Sequence, residues 1–189
     1  MSKWNSKQLV LDASIALGSN DLMFNPVGDV AGDRNRKCLQ AIWEEEHTAV
    51  FNRQLQQEWR KHASPYAATW LQNMTRKGRT LVAEGDDFSR LLEPACQCQA
   101  SDTQRTALEK DFHLIRSALA IGQLILSNEI RFPRYLANAC PTVPEFLELY
   151  FGGPAIEGEA CRLWIKAGAE KERERRIDEW AANNILGCD

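Results

Sequence analysis

The chain has 189 residues, 44% of them apolar and 26% charged, which is one ordinary domain with enough apolar surface for a core. A mostly disordered chain is thereby excluded, and so is a membrane span, since no run approaches the roughly 18 consecutive apolar residues one needs. A net charge of −3 excludes a broad electrostatic grip on phosphate backbones and leaves room for a local basic groove. The N-terminal MSKWNSKQ is polar and lacks the apolar core of a signal peptide, so the expected setting is the cytoplasm.

The first element is QLVLD (8–12), an apolar run ending in a carboxylate, which predicts a buried strand. Residues 13–17 start a short helix, and 18–33 read as a turn-rich excursion. KCLQAIWEEE carries Cys38, Leu39, Ile42 and Trp43 on one side and predicts a helix. HTAVFN (47–52) is a strand, with Asn52 as cap of the helix RQLQQEWRKH. A further helix falls near YAATWLQNMTRK, and RTLVAE (79–84) is a third strand. DDFSRLLEPACQCQ begins helical and ends at Pro94.

The central segment is the clearest. A helix starts at Ser101, carries a wide stripe of Leu114, Ile115, Ala118, Leu119 and Ile121, and stops at Gly122. QLILSNE (123–129) repeats the earlier pattern of an apolar run followed by polar residues and an acid. PTVPEFLELYF (141–151) holds a last strand or a short helix. EGEACRLWIKAGAEKERERRIDEWAANN reads as one long helix interrupted only at Gly168. Strand–helix alternation predicts an α/β fold, three layers with a central parallel sheet of four or five strands, plus that long C-terminal helix. Residues 1–155 form the α/β domain and 156–189 a helical extension of it. The extension either packs on its own domain or offers Trp164 and Trp180 to a partner copy.

Six cysteines in a chain of this kind read as free, mostly buried thiols. Cys96 and Cys98 form a C-x-C without the second close pair of a zinc site, and His47, His62 and His113 lack H-x-x-x-H spacing.

The chemistry points to acids. In parallel sheets, sites form at the carboxyl ends of strands, and both clear strands finish there with one: Asp12 and Glu129. Asp111 opens the helix leading into the second of these strands, and Glu58 lies on the helix after HTAVFN. Four converging carboxylates raise one another's pKa, and a hard cation, Mg²⁺ or Mn²⁺, relieves that repulsion. Taken singly, each acid has a plainer reading. Asp12 is a helix cap, Asp111 an acid of a helix N-terminus, Glu58 part of a solvated face and Glu129 a turn residue.

LVLDASIAL (9–17), QEW around Glu58, and DFHLIRSALAIGQLILSNE (111–129) together resemble the PIN-domain family of metal-dependent nucleases, including VapC-like toxins. The resemblance spans roughly residues 8–135. It implies that Asp12, Glu58 and Asp111 hold the metal, with Glu129 as the fourth acid. Ser14 and Ser127 match small hydroxyl positions that orient ligands or waters. Three features depart from the pattern: the longer Glu129, Phe132 where many members have an Asp, and the long interval from Asp12 to Glu58. The implied function is Mg²⁺- or Mn²⁺-dependent hydrolysis of RNA, as a toxin with an antitoxin partner or otherwise, with a homodimer as a further expectation. Cations near the motifs, above all Arg60 and Arg131, and also Arg53, Lys61, Arg76, Lys77, Arg79 and Arg134, are the expected RNA contacts. The alternative is a PIN-fold RNA- or protein-binding module with weak or no catalysis. A phosphoaspartate phosphatase is disfavoured, because Ser14 stands where a second Asp is needed.

Overall fold

The structure, a computed structural model, describes residues 7–19, 30–83 and 88–184. Its elements run β1 (Gln8–Leu11), α1 (Ala13–Leu17), α2 (Val30–Glu44), β2 (Thr48–Phe51), α3 (Arg53–His62), α4 (Pro65–Arg76) and β3 (Thr80–Val82). They continue with α5 (Leu92–Gln97), α6 (Asp102–Ala120), β4 (Leu124–Leu126), α7 (Arg131–Ala139), β5 (Tyr150–Gly152), α8 (Pro154–Glu157), α9 (Glu159–Lys166) and α10 (Ile177–Asn184). The five strands form one sheet in the order β3-β2-β1-β4-β5, and every pairing is parallel. Helices α2, α4, α8 and α9 make one layer of mutual contacts, and α5, α6, α7 and α10 the other. This is a three-layer α/β/α fold.

The central strands are short and apolar because both faces are covered. Leu9, Val10 and Leu11 are fully buried, as are Ile125 and Leu126 on the neighbouring β4. Each such side chain contributes about 1.5–3 kcal/mol by leaving water. Gly122 (φ 81°) closes α6 where a Cβ would lie 2.4 Å from the Gln8 carbonyl oxygen, so only glycine lets β4 start beside β1. The Trp59 indole donates to the Leu11 carbonyl at 2.8 Å, which holds α3 across the carboxyl end of β1.

Three expectations need correction. Helix α2 begins at Val30, inside the predicted excursion, because Asp33 pairs with Arg36 and Lys37 one turn on; residues 20–29 of that excursion lie outside the described residues. Pro94 does not end a helix. It is the third residue of α5, within the first turn, where a missing N–H leaves no intrahelical bond unmade. The long C-terminal helix is two short ones, α9 and α10, separated by ten residues that start at Ala167 and hold only a 3₁₀ turn at Arg173–Arg175.

Gly168 and Ala169 take positive φ (102° and 49°) and turn the chain back. Arg176 then pairs with Tyr150, and the Ile177 N–H donates to the Leu149 carbonyl, so this segment lies along the edge of β5. Trp164, Ile165, Ile177 and Trp180 are buried, with Trp180 edge-on to Phe151 at 4.5 Å. Neither tryptophan is available to a partner copy.

Candidate functional site

The carboxyl ends of β1 and β4 open into a cleft of about 270 Å³. Among the described residues its lining is Asp12, Ala13, Ser14 and Leu17 from β1–α1, Glu58 and His62 from α3, Lys110 and Asp111 from α6, and Glu129. The four predicted acids thus share one cavity, although they come from separate parts of the chain.

Asp12 sits at the cap position of α1 but makes no side-chain cap bond. Its Oδ2 accepts the Ser14 hydroxyl at 2.5 Å and the Ser127 hydroxyl at 2.6 Å. Each hydroxyl also accepts a backbone N–H, of Asn128 and of Glu129 respectively, both at 3.0 Å. The loop after β4 is therefore laced to Asp12 through one carboxylate oxygen, and Oδ1 takes no part in that lacing.

Asn128, absent from the predicted site, completes the lacing. Its amide donates to Asn35 at 3.0 Å and its carbonyl oxygen accepts from the Ala155 N–H at 2.9 Å. Its only signal in the sequence is its place in S-N-E.

Glu58 and His62 are four residues apart and so share a face of α3. Arg60, two residues from Glu58, points away from that face, and it does not line the cleft. Asn52 caps α3 through Leu55 N–H at 2.8 Å, and its amide donates to the His113 carbonyl and the Ser117 hydroxyl, tying α3 to α6. Glu58 accepts from Gln54 at 3.2 Å on one oxygen. The other lies 3.4 Å from Nε2 of His113. His113 is 3% exposed, its Nδ1 donates to the Lys110 carbonyl at 3.0 Å, and Nε2 makes no geometrically sound hydrogen bond.

Asp111 does not open its helix. Ser101 caps α6, accepting from Gln104 N–H, and Asp111 falls in the middle, where the cleft half-buries it. That burial pushes its carboxyl up from 3.8 to about 6; Lys110 opposes the rise, and Asp12, Glu129 and Glu58 add to it. Glu129 is exposed, three residues beyond β4. Arg131 opens α7, exposed and outside the cleft lining. Arg76 ends α4, and Lys77 and Arg79 lie in the turn into β3; all three are at the amino end of the sheet and cannot meet a ligand at its carboxyl end.

The donor set suits a hard cation in kind, being all carboxylate oxygen. Among the described residues, no three His, Cys, Asp or Glu side chains are gathered tightly enough to hold one ion. The hydroxyls on Asp12, the Gln54 and His113 contacts of Glu58, and Lys110 at 3.9 Å from Asp111 draw these carboxylates to other partners.

Comparisons of the chain with protein-family models, with curated proteins and with solved structures find no match. No helix among the described residues is long and apolar enough to cross a membrane.

Proposed function

We propose that this chain is a PIN-like ribonuclease, dependent on Mg²⁺ or Mn²⁺, that hydrolyses RNA phosphodiester bonds in the cytoplasm. The observation that supports it best is the meeting of Asp12, Glu58, Asp111 and Glu129 in one cleft, with Asp12 withheld from helix capping. These four would hold the cation. A cation bound there supplies an activated water and stabilises phosphoryl oxygens.

The rest is the work of the chain itself. Ser14 and Ser127 fix Asp12 by one oxygen and leave the other to the cleft. Half-burial and the acidic neighbours push the Asp111 carboxyl up to about 6 in the cleft without a cation, and a cation held there would offset that rise. Asn52 and Ser117 keep α3 and α6 at a fixed separation beneath Glu58.

A second reading, a PIN-fold module that binds RNA or protein with weak or no catalysis, is favoured by the exposed Glu129 and the ungathered carboxylates. An antitoxin would act by covering the cleft, whose lining includes Leu17 at 55% exposure. A homodimer would need a surface other than Trp164 and Trp180.

A short unstructured RNA incubated with Mn²⁺ separates these readings. The nuclease reading expects cleavage that EDTA abolishes and Asp12→Asn lowers by about 100-fold or more. RNA binding without cleavage supports the second reading. Neither binding nor cleavage rejects both.

A further inference from the structure

We propose that Lys110 and His62 form the phosphate grip of this cleft, the pair of donors that holds the substrate's backbone beside the carboxylates. The inference rests on the ribonuclease reading and names residues that the sequence pattern did not single out. A polyanion approaching four carboxylates is repelled unless cations stand among them. The cations expected from sequence do not line the cleft: Arg53, Arg60, Lys61, Arg131 and Arg134 fall outside its lining, and Arg76, Lys77 and Arg79 lie at the other end of the sheet.

Among the described lining residues, Lys110 and His62 are the basic ones. They come from α6 and α3, the two helices that Asn52 ties together. The Lys110 side chain is 76% exposed and its ammonium lies 3.9 Å from Asp111, a loose pairing at the edge of ion-pair range. An exposed pair of this kind holds weakly. Lys110 thus neutralises part of the acidic cleft when it is empty of substrate and turns to the phosphate when RNA arrives. His62 closes α3 one turn beyond Glu58, exposed, with a ring N–H to donate. A cleft of about 270 Å³ is at the small end of ligand-site sizes, so it takes one step of a single strand rather than a duplex.

The test is steady-state cleavage of a short single-stranded RNA with Mn²⁺ over a salt series. It compares the wild type with Lys110→Gln, His62→Gln, the double variant, and Lys77→Gln as a remote control. The grip expects Lys110→Gln to raise KM about 5- to 20-fold with kcat within about twofold. It should also reduce the slope of log affinity against log salt by about 0.7, one single-strand phosphate contact. His62→Gln should raise KM, and Lys77→Gln should change neither quantity. The Mn²⁺ concentration for half-maximal activity should stay the same or fall in Lys110→Gln, because a repelling cation has gone.

Unchanged KM and salt slope in the double variant, with Mn²⁺-dependent cleavage intact, overturn the grip and leave the nuclease reading standing. A lost Mn²⁺ response in Lys110→Gln also overturns it, since Lys110 would then be supporting Asp111 rather than substrate. A wild type without Mn²⁺-dependent cleavage overturns the nuclease reading and the grip together.

Discussion

The two ends of the sheet each bury a histidine, and they use it differently. At the amino end, His47 is 1% exposed; its Nδ1 accepts the Lys7 N–H at 3.2 Å and its Nε2 donates to the Ile165 carbonyl at 3.0 Å. One neutral tautomer satisfies both nitrogens, and burial holds its pKa below the usual histidine value. At the carboxyl end, His113 satisfies Nδ1 alone and turns Nε2 toward a carboxylate. The acids divide in the same way. Glu44, near the amino end, is held below the usual range by Gln40 and Lys166, whereas Asp111 is pushed up by burial and by its acidic neighbours. Buried polar groups that find partners hold a fold together, and a carboxyl left short of them in a cleft is a candidate binding place.

The largest way to break this contrast is to remove what lies beyond the cleft. Truncation after Ala155 deletes Trp164, Ile165, Ile177 and Trp180, all buried, and uncovers the edge of β5. Loss of folding is expected, read by circular dichroism and a cooperative urea transition; a folded truncate would show that this segment is an accessory.

The next effect sets the two ends against each other through pH. Asp111 has a raised folded pKa, so its stabilising share is full below the unfolded value of 3.8 and is lost as pH rises through about 6. His47 has a lowered one, so its share is lost as pH falls below its unfolded value of 6.5. In EDTA, Asp111→Asn should therefore gain up to about 3 kcal/mol over the wild type at pH 7 and lose that advantage by pH 4. Urea unfolding at the two pH values measures it, and an equal difference at both would place the carboxyl in open solvent.

Smaller still is Asn52→Ala, which removes an α3 cap and the amide link to α6. A loss of about 1–2 kcal/mol is expected, with RNA turnover falling further than stability alone explains because Glu58 shifts with its helix. Equal loss of both would make Asn52 a cap and nothing more.

Much of this contrast could be read from the residues. LVL and LIL are continuous apolar runs that only a doubly covered strand requires, and Asn52, Ser101 and Gly122 stood at the helix ends that the structure uses. The C-terminal segment misled because EKERERR has helix-forming composition, while its fate is set by distant partners. Arg175 is buried against Glu157 and the Trp164 ring, and Arg176 meets Tyr150. Tertiary pull of this kind overrides local propensity.

The site was legible in part for the same reason. Strand ends announce Asp12, but Lys110, His62, His113 and Asn128 matter through which helix face or loop they fall on. That depends on packing between α3 and α6, which the sequence does not spell out. Arg60 and Arg131 are the converse case, close in sequence to the acids and directed elsewhere.

The cation site proposed for the carboxyl-end acids stands or falls on whether Mn²⁺ stabilises the fold through Asp12. Thermal unfolding of the wild type and of Asp12→Asn, each with and without Mn²⁺, tests it most directly. The wild type should melt at a higher temperature with Mn²⁺, since a ligand that binds only the folded state stabilises it. Asp12→Asn keeps nearly the same volume and a carbonyl oxygen to accept the Ser14 and Ser127 hydroxyls, so it should stay folded without metal, and it should lose most of the Mn²⁺ increment. An equal Mn²⁺ shift in both proteins, or none in either, would contradict the site.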